Sequence, residues 1–482
     1  MKKDNFLFQC FIYISALLII LSPITVRADS LVCSTVKYVA PSSENNNIVF
    51  TFDKPYQCGQ FANGDWWVSV DSSQHVTIKS ISPDSKNNMN GVELNPSLKD
   101  KQGFDSRISG YNSSLNIQLP ISIKGSSSIV KAVSVSSQSK CRPCLQYAAV
   151  LSVVKSPINN SKNILRPAYY GHEKKYYSIT DDMAKKLPSQ YSRKYLVSAK
   201  EWSFNRISKR FAGVQLDHLQ GWGSDYMHPA DNMSNYGADI AVDNSVSLLR
   251  MMLDDFDINN KLHKSAFINY LQMAVDFQAM AKNGVTWPPN GGHGNGRKLP
   301  ILFAAYILNN VGFYQTISHS LFSEDHQLYR STKTGKALFG VKCSPSQYWK
   351  EIIYKKNSQR DCRDPYEFID GGREIGGAYQ YCCTAKAWKF TALAVSLLGL
   401  KREWKNDAFF EYVERWVTHG AWTKPDPCAG YNGIPSDYNI KFGGEENCIL
   451  GNGRFINLHG EGKDGGHHGS KFGDKMWLYY KQ

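Results

Sequence analysis

Two periods of apolar and polar residues divide the chain. From residue 29 to about 154, short runs alternate apolar and polar positions at a spacing of two, the mark of half-buried strands. Residues 48–52, 66–70, 76–81, 115–119, 129–133 and 147–154 carry β-branched and aromatic side chains in that pattern, separated by Asn- and Ser-rich stretches such as 42–47 and 85–90. Strands at this spacing, with no helical period among them, predict an all-β sandwich over 29–155. Residues 156–190 read as a polar linker, given apolar surface by Tyr169, Tyr170, Tyr176 and Tyr177 so that it lies along its neighbour. From about Tyr191 the period becomes helical, over 236–253, 262–281, 300–309, 384–400 and 406–419, with Asn406 placed to cap the last. The stretch 384–400 is apolar nearly all round, as in an inner helix of a layered bundle. Long helices joined by Gly- and aromatic-rich loops predict an all-α, α/α toroid-like domain over 191–482, whose loops at one end form a cleft.

Residues 1–28 change the compartment. Lys2 and Lys3, an apolar stretch over 11–21 and Val26-Arg27-Ala28 form a secretory signal, which predicts a secreted or periplasmic protein. No later run reads as a membrane span. Ten of the 11 cysteines follow the signal, in two even groups: Cys33, Cys58, Cys141 and Cys144, then Cys343, Cys362, Cys382, Cys383, Cys428 and Cys448. An even number in an exported chain predicts disulfides. Cys141-Arg-Pro-Cys144 has redox spacing but no thioredoxin-like surroundings, so it reads as a structural bridge. Cys382 and Cys383 are expected to reach different partners, because a bridge between neighbours departs from ordinary disulfide geometry.

The formal net charge is +14, of which the signal contributes +2. That balance favours an acidic partner. The basic residues are spread out, which argues against a dedicated nucleic-acid arm.

Candidate chemistry lies in four loops, 222–236, 287–300, 370–383 and 459–468, which mix Gly or Pro with aromatic and titratable residues. The second packs Trp287, Asn290, His293, Arg297 and Lys298 around four glycines and feeds a helix start, a natural place to hold an anion. It lacks P-loop spacing, since Leu299 follows Lys298, and no G-x-S-x-G elbow occurs. The residue types suit β-elimination on a uronate polymer. Asn232, Arg297 or Arg373 would neutralise the sugar carboxylate; His228, His293 or Tyr236 would take the adjacent proton; Tyr379 or Tyr381 would protonate the leaving oxygen. Trp287, Asn290 and Lys298 would line the substrate. Each residue alone has a plainer reading: His228 before Pro229 fixes a turn, and Tyr236 packs in a first helical turn. The rival chemistry is hydrolysis by paired carboxylates, Glu324 and Asp325 with Asp231, Asp239, Asp370 or Glu374 across the cleft. His459, Glu461, Asp464, His467 and His468 have ligand atoms without zinc spacing, so neither metal nor cofactor is expected. A third reading is a non-catalytic glycan- or surface-binding envelope protein that uses Trp66 and Trp67.

The stretches 59–68, 90–96 and 102–107, followed by 228–233, 291–304 and 381–384, resemble the motifs of a group of secreted bacterial two-domain proteins. The likeness covers nearly the whole chain after the signal. The group's layout is similar to that of toroid-fold polysaccharide lyases and glycosidases. The resemblance implies a carbohydrate-active enzyme, but no catalytic assignment carries over from it.

Overall fold

The computed structural model describes residues 31–136, 140–188, 191–195, 197–342, 367, 370, 379–421 and 468–481. Residues 1–28, expected to be a signal, lie outside them, as do Arg373, Glu374, Cys343, Cys362, Cys428, Cys448, His459, Glu461, Asp464 and His467. A β-rich region precedes a region of several helices.

Eight strands, β1 (Leu31–Tyr38), β2 (Ile48–Gln60), β3 (Trp66–Ser69), β4 (His75–Ser82), β5 (Val92–Leu94), β6 (Ile121–Lys124), β7 (Ser127–Ser134) and β8 (Leu145–Val154), join one sheet in the order β5-β7-β8-β3-β2-β4-β6, with β1 beside β2. The sheet curls into a half-barrel. Phe50, Ile78 and Ile81 from β2 and β4 therefore share a core with Ile129, Val133 and Leu151 from β7 and β8. One twisted, curled sheet with edges at β5 and β6 takes the place of the two stacked sheets of the expected sandwich. β8 is buried on both faces: Tyr147, Ala149 and Leu151 face that inner core, while Leu145, Ala148 and Val150 face the helices. Its nearly unbroken apolar sequence follows from this.

Residues 115–119, expected as a strand, are not one. Asn112 caps the short 3₁₀ turn Ser113–Leu115, and Asn116 Oδ1 accepts the Val92 N–H at 2.9 Å, so side chains take the bonds that a ladder would need. Trp67 is buried against Phe61 and Val154, over Gly59, where an added Cβ would lie 2.6 Å from the indole. Trp66 is half-buried and donates to the Lys37 carbonyl at 3.1 Å. The pair is therefore no open platform for a sugar.

The helices include α1 (Phe204–Phe211), α2 (Gly237–Met251), α3 (Lys261–Lys282), α4 (Lys298–Leu308), α5 (Val311–His319), the single turn α6 (Ser323–His326), α7 (Ala385–Leu397), Asp407–His419 and Lys471–Tyr480. α3 packs on α1 and α4, α4 on α5, and α2 on α7. α1, α5 and Lys471–Tyr480 escape the sequence reading because each is short; the buried face of α1 is only Phe204, Ile207 and Phe211. Asn406 precedes Asp407–His419, but it makes no side-chain cap and donates instead to Asp325 at 3.1 Å. Among the described residues no helix is long and apolar enough to cross a membrane.

The two regions share one core, in which Phe104, Val130 and Leu145 meet residues of α2, α3 and α4. Buried Arg166, in the stretch between them, bonds Asp65 from the β2–β3 connection at 2.6 Å and Asp276 of α3 at 2.6 and 3.1 Å. Tyr169 and Tyr170 beside it are fully buried, so this stretch is packed in place. Removing the cation would leave two buried carboxylates unpaired. Arg166→Met is expected to cost about 3–5 kcal/mol of unfolding free energy in urea titration. A loss below about 1 kcal/mol would show that the triad does not hold the regions together.

Candidate functional site

The stretch 287–297 is fixed from behind by one carboxylate. Asp217 sits in the buried run 214–219. It accepts from His228 Nε2 (2.9 Å), Trp287 Nε1 (2.8 Å), Arg297 Nε (2.8 Å) and Arg297 Nη2 (3.2 Å). Burial raises the proton affinity of this carboxyl, but Arg297 and His228 more than reverse that and hold it below its usual range. Arg297 Nη1 also donates to the carbonyls of His293 (2.8 Å) and Asn295 (2.6 Å), so the loop backbone is tied to the same centre.

Asn295 and Gly296 add a second tier. Asn295 Nδ2 donates to the Cys383 carbonyl at 2.7 Å, and its Oδ1 accepts from Ser323 (2.6 Å) and Trp388 Nε1 (3.1 Å). Gly296 N–H donates to Glu324 Oε1 at 2.7 Å, and its carbonyl accepts from Asn244 of α2 at 2.8 Å. Gly296 has φ +97°, and an added Cβ would lie 2.6 Å from the Ala241 backbone, so only glycine lets the loop lie this close to α2. The anion held by this glycine-rich loop is thus the protein's own Asp217, while Glu324 accepts the Gly296 N–H as a buried carboxyl.

The solvent side of the loop carries the other groups. His293 is half-buried, and its Nδ1 lies 2.8 Å from Asp225 Oδ2, off the line of a hydrogen bond. Among the described residues no hydrogen bond engages its Nε2. Asp225 is fully buried in the turn Gly221–Tyr226, and the same Oδ2 is paired with Arg142, which lies between Cys141 and Cys144 of the β-rich region. Tyr236, at the start of α2, meets the His293 ring edge-on at 4.8 Å and donates to the Gly291 carbonyl at 2.6 Å. Burial, with Asp225 and Asp239 nearby, pushes the Tyr236 phenol up to about 12. His468 packs against Tyr236 at 4.9 Å and pairs with Asp239 at 2.5 Å. Trp222, 57% exposed, stands at the other edge over Tyr226. It is the one exposed tryptophan among the described residues.

Comparison with protein-family models, curated proteins and solved structures finds no match. The site is therefore read from its own geometry.

Of the residues singled out in the sequence, His293, Tyr236 and Asn290 lie together at the surface, with the Asn290 side chain against Gly221. His228, Trp287 and Arg297 stand behind them on Asp217. His228 is fully buried and its Nδ1 lies 3.0 Å from the Ser234 carbonyl, so neither nitrogen is left for a substrate. Asn232 is buried as well and donates to the Val214 carbonyl at 3.3 Å. Lys298 is buried over the Trp404 ring and bonds both oxygens of Asp325 at 2.6 and 2.8 Å. Asp370 is clamped by Arg415 at 2.6 Å. Tyr379 donates to Gln327 at 2.8 Å, and Tyr381 stacks on Trp416 and accepts from Lys386 at 3.2 Å. Physical pairing thus places most of these residues in the frame.

Among the described residues three cysteine pairs are bonded: Cys33 with Cys58, Cys141 with Cys144, and Cys382 with Cys383. The last overturns the expectation of separate partners. The neighbours close a ring across one peptide bond, their Cα atoms 3.7 Å apart, in the wide π turn Gln380–Thr384 that leads into α7. Cys383 packs against Gly292, where an added Cβ would lie 2.6 Å from the Cys383 carbonyl.

Asp217, Asp225, Arg142 and Trp222 were not singled out in the sequence. In Val214-Gln-Leu-Asp-His-Leu219 polar and apolar residues are mixed, so Asp217 carries no mark that sets it apart from an exposed position.

Glu324 supplies a check on the frame. Burial pushes its carboxyl up to about 7, and Oε2 has no hydrogen-bond partner among the described residues. A raised folded-state value means that the native state holds a proton which the unfolded chain releases. Stability is then greatest below about 4.5 and falls as pH rises toward about 7. Relative to the parent, Glu324→Gln is expected to gain up to roughly 3 kcal/mol between those limits, read from urea unfolding at several pH values. A pH-independent difference would contradict the assignment.

Proposed function

We propose that this protein is an exported enzyme that cleaves an acidic, uronate-containing polysaccharide by β-elimination. The observation that carries the reading is the pairing of His293 with buried Asp225 on a surface that also presents Arg142 and Trp222. In β-elimination the sugar carboxylate must be neutralised before the neighbouring carbon gives up its proton. Arg142 is exposed and uses one guanidinium nitrogen on Asp225, which leaves donors for that carboxylate. His293 Nε2 takes the proton, while Asp225 stabilises the imidazolium that forms; the off-line contact in the free protein tightens when substrate binds. Tyr236 keeps its proton at neutral pH, since its phenol is pushed up to about 12, and so suits the leaving oxygen as an acid instead of serving as the base. Trp222 offers a flat apolar face for a neighbouring sugar ring.

The helical region is proposed to be of the α/α toroid type. In support, α2, α4 and α7 all begin beside the site, and α3, which lies between α2 and α4 in the chain, packs on α1 and α4. Three helix starts add positive potential where an anionic polymer would lie. The resemblance to secreted bacterial two-domain proteins, and to the toroid-fold lyases in layout, agrees with this. The three disulfide pairs among the described residues support an oxidising compartment outside the cytosol. Hydrolysis by paired carboxylates has less support, because Glu324, Asp325 and Asp370 are each engaged inside the frame.

Incubation with a panel of uronate polymers, followed by ultraviolet absorbance of the unsaturated product, tests the proposal. Turnover is expected, with His293→Ala lowering kcat roughly 100- to 10,000-fold and Tyr236→Phe also lowering kcat. Trp222→Ala is expected to raise KM with kcat little changed. New reducing ends without that absorbance would replace elimination by hydrolysis. No turnover on any polymer by folded protein, with glycan binding retained, would leave a binding protein.

A further inference from the structure

Arg142 comes from the β-rich region, yet it reaches the centre of the proposed site. It pairs with Asp225 through Oδ2, the same oxygen that lies 2.8 Å from His293 Nδ1. Asp225 Oδ1 is buried without a hydrogen-bond partner among the described residues. The Arg142 guanidinium and the His293 imidazole therefore meet at one oxygen, with His293 off the line of a hydrogen bond. Arg142 is itself tightly held. It lies inside the ring closed by Cys141 and Cys144, and its guanidinium stands 5.9 Å over the Tyr226 ring. The Cys144 N–H donates to the Tyr226 carbonyl at 2.7 Å, and the next residues dock on 230–231 through Ala230 N–H to the Leu145 carbonyl and Asp231 N–H to the Gln146 carbonyl, both at 3.0 Å.

A ring of four residues restrains the unfolded chain less than the long loop closed by Cys33 and Cys58, so its larger effect is on local conformation. That conformation is the one that aims Arg142 at Asp225. We infer that Arg142 is a positioning residue that acts through Asp225 to set the proton affinity of His293, and that the Cys141–Cys144 bridge holds it there. The β-rich region then completes the site instead of serving as a separate binding module. The inference rests on the reading of His293 as the base, but it concerns a titration that needs no substrate.

The groups facing His293 give the sign. Asp225 favours the imidazolium and Arg142 opposes it. Tyr236 is a neutral phenol at ordinary pH, His468 is paired with Asp239 beyond it, and bridged Cys382 and Cys383 carry no charge. Loss of Arg142 removes a nearby positive charge and frees Oδ2 for His293. Both effects raise the proton affinity of the imidazole.

Nitrogen-15 histidine labelling of the full chain, with His293 assigned through His293→Gln, reads the titration directly. Arg142→Met is expected to raise the His293 midpoint by roughly half a pH unit or more, about threefold in proton affinity. Arg142→Lys keeps the charge and is expected to give a smaller shift. Cys141→Ser with Cys144→Ser is expected to move the midpoint in the same direction as Arg142→Met, with the folded-state spectrum otherwise kept. If the double serine variant does not fold, selective reduction of Cys141–Cys144 in native protein by a small phosphine, with the reduced pair identified by mass mapping, supplies the same comparison. An unchanged or lowered midpoint in Arg142→Met would overturn the role of Arg142. A shift in Arg142→Met with none on opening the ring would overturn the role of the bridge. A shifted midpoint in a protein that turns over no polymer would leave this coupling standing and remove only the enzymatic reading.

Discussion

Asp217 receives four donors from residues 228, 287 and 297, at sequence separations of up to 80, and the site is built on that single buried carboxylate. An ionised carboxylate has about four lone-pair sites, so here every one is used. Buried charge is costly unless paired, and the pairing must be complete for the arrangement to hold. Arg297 meets that demand with two of its nitrogens and spends a third on the carbonyls of His293 and Asn295. The loop is thus set by electrostatics from within, and its outer face is left for His293.

A second constraint acts at the surface. The turn Gly221–Tyr226, the loop around His293, the start of α2 and the bridged cysteines before α7 crowd together. Gly237 shows how closely: an added Cβ would lie 2.2 Å from the His293 carbonyl. Such proximity keeps Asp225, His293 and Tyr236 near one another, with the His293–Asp225 contact still off the line of a hydrogen bond. The half-barrel takes part as well, since β8 is buried against the helices on one face and the residues just before it deliver Arg142.

How much of this could be read from the chain alone depended on the signal each feature leaves. The glycine-rich loop was legible because glycine, histidine and arginine in one short stretch are unusual. The strand β4 was legible because burial of one face imposes a period, whereas α3 and β7, buried on nearly all sides, were legible as runs rich in apolar residues. The division of labour within the loop was not. Nothing in the sequence separates Arg297, turned inward to Asp217, from an arginine facing solvent, because both orientations suit the same turn. Asp217 lacked a mark because it stands among Gln215 and His218, so it reads as an ordinary solvent-facing carboxylate until its partners are known. Arg142 was hidden inside a cysteine spacing that drew attention to sulfur. The bond between Cys382 and Cys383 contradicted an expectation based on ordinary bridge geometry, because a wide helical turn let the neighbours close on each other.

The central claim is that Asp217 organises the site loops. Amide hydrogen exchange, followed by mass spectrometry on the parent and on Asp217→Asn, tests it most directly. An amide nitrogen placed among donors cannot accept from them, so the variant is expected to exchange faster over 228–236 and 287–297 while β7 and β8 keep their protection. Unchanged protection in those two segments, or an equal loss of protection along the whole chain, would contradict the account.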